Sequence, residues 1–126
     1  RPPGLTRPVR LEIEVGGWEH GCCGPELVRF TNVEWTVTAA PDGRLVETHH
    51  GLDETEGLEV IDVTGTIVEL EAIERDRSRT AIARVPSGRA LRGMDEDDAG
   101  DVIELYTDRL IDVSDDGFIV TVEVRD

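Results

Sequence analysis

The chain has 126 residues and a formal net charge of −15, and these values already exclude several classes of protein. This length predicts one domain, over residues 1–126, with a core large enough to fold without a disulfide or a metal. Its 28 acidic residues outnumber 13 basic ones, so a nucleic-acid backbone would be repelled and no nucleic-acid binding is expected. No apolar run reaches the roughly 20 residues of a membrane-spanning helix, so no membrane partner is expected.

The acidic balance also bears on protein partners. Every basic residue is an arginine. A solvated acidic surface is the simpler interpretation, and a protein partner with a basic surface is the more specific one.

Cys22 and Cys23 are the two cysteines, and a disulfide between sequence neighbours requires unfavourable geometry. We therefore expect a reduced pair, which indicates a cytoplasmic location.

Alternation of apolar and polar residues predicts strands in the first half of the chain. The first strand is VRLEIEV at 9–15, and the second is VEWTVTA at 33–39. PDGR at 41–44 contains the Asp-Gly pair that is typical of a hairpin turn. Residues 45–50 are then expected to return as a short strand.

The second half of the chain shows the same alternation. Further strands are predicted over 58–74, 80–85 and 118–125. Gly65 interrupts the first of these and predicts a bulge or a sharp bend. Residues 86–101 have the composition of an acidic loop, and 102–113 are ambiguous between strand and helix. SDDG at 114–117 predicts a second hairpin turn.

About seven short strands separated by turn signals predict an all-β fold, since no segment combines helix caps with a sustained helical period. A small antiparallel barrel is the expected architecture, and a sandwich is the alternative.

The segment MDEDDAGD, at 94–101, resembles a calcium loop in composition. It lacks the ligand spacing of one, so a solvated acidic loop is expected there.

Five side chains that commonly bind transition metals fall into two clusters. They are His20, Cys22, Cys23, His49 and His50. The first cluster follows the first predicted strand, and the second follows the strand after PDGR, so the two can meet at one rim of a barrel. Thiolate and imidazole are preferred ligands of zinc and copper. The sequence therefore predicts a zinc or copper site made by these residues.

The arrangement of that site is open. Adjacent residues in an extended chain point to opposite sides, so one member of each pair would bind while the other packs. His20 and Cys22 share a side, and a later histidine would complete three ligands with one open position, as in catalytic zinc. A carboxylate such as Glu19 or Glu47 near that position would favour a metal-dependent enzyme.

Two interpretations need no metal. In the first, the glycine-rich turn only packs, because free cysteine behaves as a small buried apolar residue. The protein would then be an interaction domain that binds a basic partner. In the second, a cysteine and a histidine form a nucleophilic dyad oriented by Asp53 or Glu47. The negative charge of the chain raises a thiol pKa and disfavours this dyad.

The segment GWEHGCCGPELVRFTNVEWTV, at 17–37, resembles a family of small actinobacterial proteins described only as a domain of unknown function. The shared pattern is Trp-x-x-x-Cys-Cys-Gly followed by a Val-x-Trp strand, with His49-His50-Gly51 as a later element. The similarity covers about residues 9–72. Phe30-Thr31-Asn32 stands where the family pattern implies a Gly-Asp turn. The strand order also resembles Src-homology-3-like barrels, with OB-like barrels as the alternative, and such folds imply a binding module.

Overall fold

The computed structural model of this protein describes residues 9–16, 24–39, 45–47 and 59–124. Eight strands and one short helix account for the regular structure within those ranges. The strands are β1 Val9–Val15, β2 Leu27–Val28, β3 Asn32–Ala39, β4 Leu45–Glu47, β5 Glu59–Glu74, β6 Arg79–Ala81, β7 Arg84–Val85 and β8 Val113–Val124. The helix, α1, is Gly88–Leu91 and begins at the cap residue Ser87, whose hydroxyl accepts a hydrogen bond from the Ala90 amide. Within these ranges, no helix is long and apolar enough to cross a membrane.

Five strands close into a barrel. The order β3–β4–β1–β8–β5 returns to β3 because β3 also pairs with β5. β6 extends the sheet beside β5, and β2 and β7 form a separate two-stranded sheet. The predicted all-β small barrel is therefore confirmed. One pairing differs from an antiparallel barrel: β1 and β4 are parallel, with Ile13 opposite Leu45 and Glu14 opposite Val46.

The barrel closes through β5, which is long enough to pair with two different strands. Its first half pairs with β3, from Glu59 to Thr66, and its second half pairs with β8, from Gly65 onward. At Gly65 the strand is flanked by both partners. A Cβ atom there would lie 2.3 Å from the backbone oxygen of Glu123 and 2.8 Å from Cγ1 of Val122. Only glycine allows this approach of the strands.

The inward-facing residues of these strands form one apolar core. Strand alternation directs Ile13 and Val15 of β1, Val37 of β3 and Val120 of β8 into the barrel, where all four are fully buried. Other members of this core are Leu27, Val63, Ile67, Leu70, Ala72, Ile82, Val85, Val102, Ile111, Phe118 and Val122. Mostly aliphatic side chains, with Phe118, thus fill the barrel, and Trp35 packs against them while half-buried.

Two sequence predictions about β5 and β8 need correction. The register of β5 against β8 shifts between Ile67 and Glu69 and between Ala72 and Glu74, not at Gly65. SDDG at 114–117 is not a hairpin turn, because these residues lie within β8. They are the extra residues of the second shift, and Gly117 there has a φ of +83°. The positive φ that Asp-Gly offers to a turn serves a bulge equally well.

Two other segments differ from the predicted elements. The strand predicted at 80–85 is divided into β6 and β7 by Ile82, which instead bridges to Glu104. The ambiguous segment 102–113 is neither helix nor continuous strand before β8 begins. It is held by isolated bridges, including Ile103 to Leu110, and buries Val102 and Ile111. The PDGR turn lies outside the described residues, although Ala39 faces Leu45 across the β3–β4 pair.

The acidic loop within 86–101 is anchored by an ion pair. The Arg84 guanidinium donates to both carboxylate oxygens of Asp98, at 2.6 and 2.7 Å, and also to Glu26 at 2.6 Å. Asp98 accepts a further hydrogen bond from the Gly100 amide at 2.9 Å. The Arg84 bonds, and then the Gly100 amide, lower the pKa of Asp98 to about 2. Asp98 is therefore part of the fold, unlike the solvated loop that the sequence predicts.

Gly65→Ala tests the closure of the barrel. The added methyl group meets backbone atoms of β8, so we expect the free energy of unfolding to fall by about 1–3 kcal/mol. Gly16→Ala is the matched control, because no atom lies within 4 Å of a Cβ built there. Urea unfolding followed by circular dichroism measures both. Equal stability of the two variants would contradict the close approach at Gly65.

Candidate functional site

The predicted metal ligands lie outside the described residues. This holds for His20, Cys22, Cys23, His49 and His50, and also for Trp18, Glu19 and Asp53. The structure does describe the strands that precede the two clusters. β1 ends at Val15 and β4 ends at Glu47. Because the two strands are parallel, the chain leaves both of them at the same end of the barrel. Among the described residues, no group of three or more His, Cys, Asp or Glu side chains is arranged to hold a metal ion.

A different candidate site lies beside the second half of β5. It is a cleft of about 160 Å³, which we name the tyrosine cleft. Its lining residues are Arg29, Glu69, Leu70, Glu71, Ala81, Ile82, Leu105 and Tyr106. Leu70 and Ile82 are buried members of the core and form its floor. The cleft therefore combines an apolar floor with charged and aromatic groups around it.

Backbone hydrogen bonds fix the walls of the tyrosine cleft. The Ile82 amide donates to the Leu70 carbonyl at 3.0 Å, which continues the β5–β6 pairing by one residue. The Leu105 amide donates to the Ala81 carbonyl at 3.0 Å, so the segment after the β6–β7 region is held against β6. Tyr106 follows directly and is 85% exposed. Its ring is thus presented to solvent from a backbone that is held in place.

Arg29 is the cation of the tyrosine cleft. It is half-buried, and its Cζ lies 5.3 Å from the centre of the Phe30 ring, within the range of a cation–π contact. Among the described residues, no carboxylate lies within 4 Å of its guanidinium and no hydrogen bond reaches it. This is unusual in a chain with 28 acidic residues, because a half-buried charge gains from a partner.

Other described arginines do have carboxylate partners. Arg79 donates to Glu12 and to Glu71, both at 2.6 Å, and these bonds raise the pKa of its guanidinium. Arg109 binds both carboxylate oxygens of Glu74, at 3.2 and 3.1 Å, and this bond is the largest cause of the lowered pKa of Glu74. Arg29 therefore differs from Arg79 and Arg109 in that its guanidinium has no partner in the described part of the chain.

Phe30 has an unusual backbone conformation. Its φ is +69°, in the left-handed region that disfavours residues with a side chain, and its ring is 72% exposed. Two hydrogen bonds hold it there: the Phe30 amide donates to the Ile67 carbonyl at 2.6 Å, and the Ile67 amide donates to the Thr31 carbonyl at 2.9 Å. This is the position where the family pattern implies a glycine-containing turn. Strained residues of this kind concentrate at functional sites.

Sequence analysis did not identify Arg29, Phe30 or Tyr106. Aromatic residues make up only 4% of the chain, Phe30 stands between Arg29 and Thr31, and Tyr106 follows Leu105, so neither ring belongs to a sustained alternating pattern. That departure from alternation was the available signal. Phe30 directly follows Arg29, but the proximity of Tyr106 to Arg29 depends on the pairing of distant segments and is not visible in the sequence.

Comparisons with protein-family models, with curated proteins and with solved structures give no match for this chain. The resemblance to the actinobacterial family therefore stays a prediction.

Phe30→Gly tests the strain at this site. Glycine adopts a positive φ without the steric penalty, so we expect the free energy of unfolding to rise by about 1 kcal/mol despite the loss of the ring. Tyr106→Gly is the matched control, since it removes an exposed aromatic ring at a residue whose φ is not positive. Urea unfolding compares the two. A loss of stability in Phe30→Gly that equals the loss in Tyr106→Gly would rule out stored strain at Phe30.

Proposed function

We propose that this chain is a small acidic protein-interaction module that binds a basic partner at the tyrosine cleft. The observation that carries the proposal is Phe30, an exposed aromatic residue held in a left-handed backbone conformation beside Arg29, whose guanidinium has no partner in the part of the chain that the structure describes. A fold has no need to expose an aromatic ring at a strained position. A partner that covers the ring would account for its exposure in the free protein.

The side chains at this site have the composition of an interface. Tyrosine, phenylalanine and arginine are enriched in the centres of protein interfaces, where they contribute most of the binding free energy. Tyr106 and Phe30 each bring a large rigid ring, and Arg29 brings a planar donor. The cleft beside them offers a pocket for one side chain of the partner.

Charge supports a basic partner. A net charge of −15 attracts a positively charged protein over a distance of about a Debye length and accelerates its association. At the cleft itself, Glu69 is exposed and Glu71 is shared with Arg79. The carboxylates around the cleft thus suit the basic rim of such a partner.

Partner binding is tested by affinity capture with a double variant. We expect wild type to retain a basic protein from a lysate of the source organism, and Phe30→Ala with Tyr106→Ala to lose it. Met94→Ala is the control, because Met94 is also an exposed apolar side chain but does not line the cleft. Calorimetry with the purified partner should show at least a tenfold weaker association for the double variant.

The result is specific only if the association also weakens with salt, as an electrostatically steered complex does. Equal affinity of wild type and the double variant for every retained protein would contradict the proposal. So would a retained protein of acidic character.

A second proposal is a zinc or copper site formed by Cys22, Cys23, His49 and His50, with His20 as an alternate ligand. The parallel pairing of β1 and β4 supports it, because the chain enters both clusters from adjacent strand ends. Thiolates require a reducing compartment, so this proposal includes a cytoplasmic location. A metal with an open position would make the protein a metal-dependent enzyme, and a fully coordinated metal would be structural.

Metal analysis tests the second proposal. We expect about one zinc or copper ion per chain by plasma mass spectrometry of untagged protein, with both thiols protected from labelling. Cys23→Ser combined with His49→Ala should release the ion. A structural ion also stabilises the fold, so its loss should lower the melting temperature. Absence of metal after reconstitution with zinc and copper would contradict the proposal.

A further inference from the structure

We propose that the tyrosine cleft binds the C-terminal carboxylate of the basic partner, and that Arg29 receives it. This inference rests on the proposed function and names the group of the partner that enters the cleft. Three features of the cleft carry it: a cation that has no carboxylate partner among the described residues, an apolar floor beside that cation, and two glutamates in the lining.

The first feature is the unmatched charge of Arg29. Seven other described arginines have a hydrogen bond or an ion pair: Arg10, Arg75, Arg77, Arg79, Arg84, Arg89 and Arg109. Arg29 is half-buried, and within the described ranges its guanidinium contacts the ring of Phe30 and has no hydrogen bond or ion pair. Its planar guanidinium can donate two parallel hydrogen bonds to one carboxylate, which is the strongest recognition that an arginine offers. An anionic group in the cleft would accept these hydrogen bonds from Arg29.

The second feature is the apolar floor. Leu70 and Ile82 are fully buried beneath the cleft, and Ala81 and Leu105 are half-buried at its sides. A ligand that fits must place an apolar group close to its carboxylate. In the last residue of a chain, the carboxylate and the side chain are attached to the same carbon atom. An aspartate or glutamate side chain carries its carboxylate at the end of the same group and leaves the floor uncovered.

The third feature is the pair of glutamates, Glu69 and Glu71. Their negative charge repels a doubly charged phosphate more strongly than a singly charged carboxylate, because the repulsion scales with the charge of the ligand. They favour a chain whose preceding residues are basic. A basic protein that ends in an apolar residue satisfies all three features, and its terminal carboxylate is the one anion that such a tail always carries.

The probes are N-acetyl-leucine, with a free carboxylate, and its amide, which has the same side chain and no charge. We expect N-acetyl-leucine to shift the amide signals of Arg29, Leu70 and Tyr106 and the Arg29 Nε–H signal in nitrogen–proton correlation spectra. A fragment of this size should bind with a dissociation constant on the order of millimolar. The amide should bind about tenfold more weakly, because it lacks the charge-assisted hydrogen bonds.

Arg29→Gln should remove the preference for the free acid, and Arg89→Gln should retain it, since Arg89 is an exposed arginine on α1 that does not line the cleft. N-acetylglutamic acid α-amide distinguishes a side-chain carboxylate from a chain terminus and should bind more weakly than N-acetyl-leucine. Well-dispersed spectra of both variants establish that they fold.

Equal binding of the acid and the amide would overturn the inference, as would a preference that survives in Arg29→Gln or the absence of any shift. Tighter binding of the glutamate probe would overturn the choice of the chain terminus. Each of these failures leaves the proposed function standing if Phe30→Ala with Tyr106→Ala still abolishes partner capture. Loss of that effect would instead remove the proposed function itself.

Discussion

The close approach of three strands at Gly65 is the constraint on which the rest of the structure depends. β5 is sixteen residues long and pairs with β3 in its first half and with β8 in its second, so both partners flank it at one point. A side chain at Gly65 would collide with the backbone of β8. Because the strand passes from one partner to the other there, the sheet closes into a barrel and its inner face becomes one aliphatic core.

The same crossing determines where a binding site can form. Beyond Thr66, β5 no longer pairs with β3, and hydrogen bonds between Phe30, Thr31 and Ile67 hold the chain before β3 against it. Those bonds hold Phe30 in its left-handed conformation and place Arg29 in the cleft whose floor includes Leu70. Closure of the barrel thus determines where the exposed ring of Phe30 and the guanidinium of Arg29 lie, beside the cleft.

The sequence predicts the positions of most strands, but it does not predict the bulges within them or which strands pair. Alternation predicts 9–15 and 33–39 almost to the residue, because each strand has one face in a core and one in water. The Asp-Gly pair at 116–117 was assigned to a turn, since its conformational preference suits both a turn and a bulge. Pairing partners such as the parallel β1 and β4 leave no local signal. The position of Arg29 and Tyr106 in one cleft also leaves no local signal, because it depends on contacts between segments more than seventy residues apart.

The central claim is that a partner covers the tyrosine cleft, and hydrogen–deuterium exchange of the complex tests it most directly. Peptides from the protein alone and from its complex with the captured basic partner are compared by mass spectrometry. The account predicts slower exchange at the amides of residues 29–31, 69–71 and 103–107 on binding, with little change along β1. Protection confined to other surfaces, with these three segments unchanged, would contradict it.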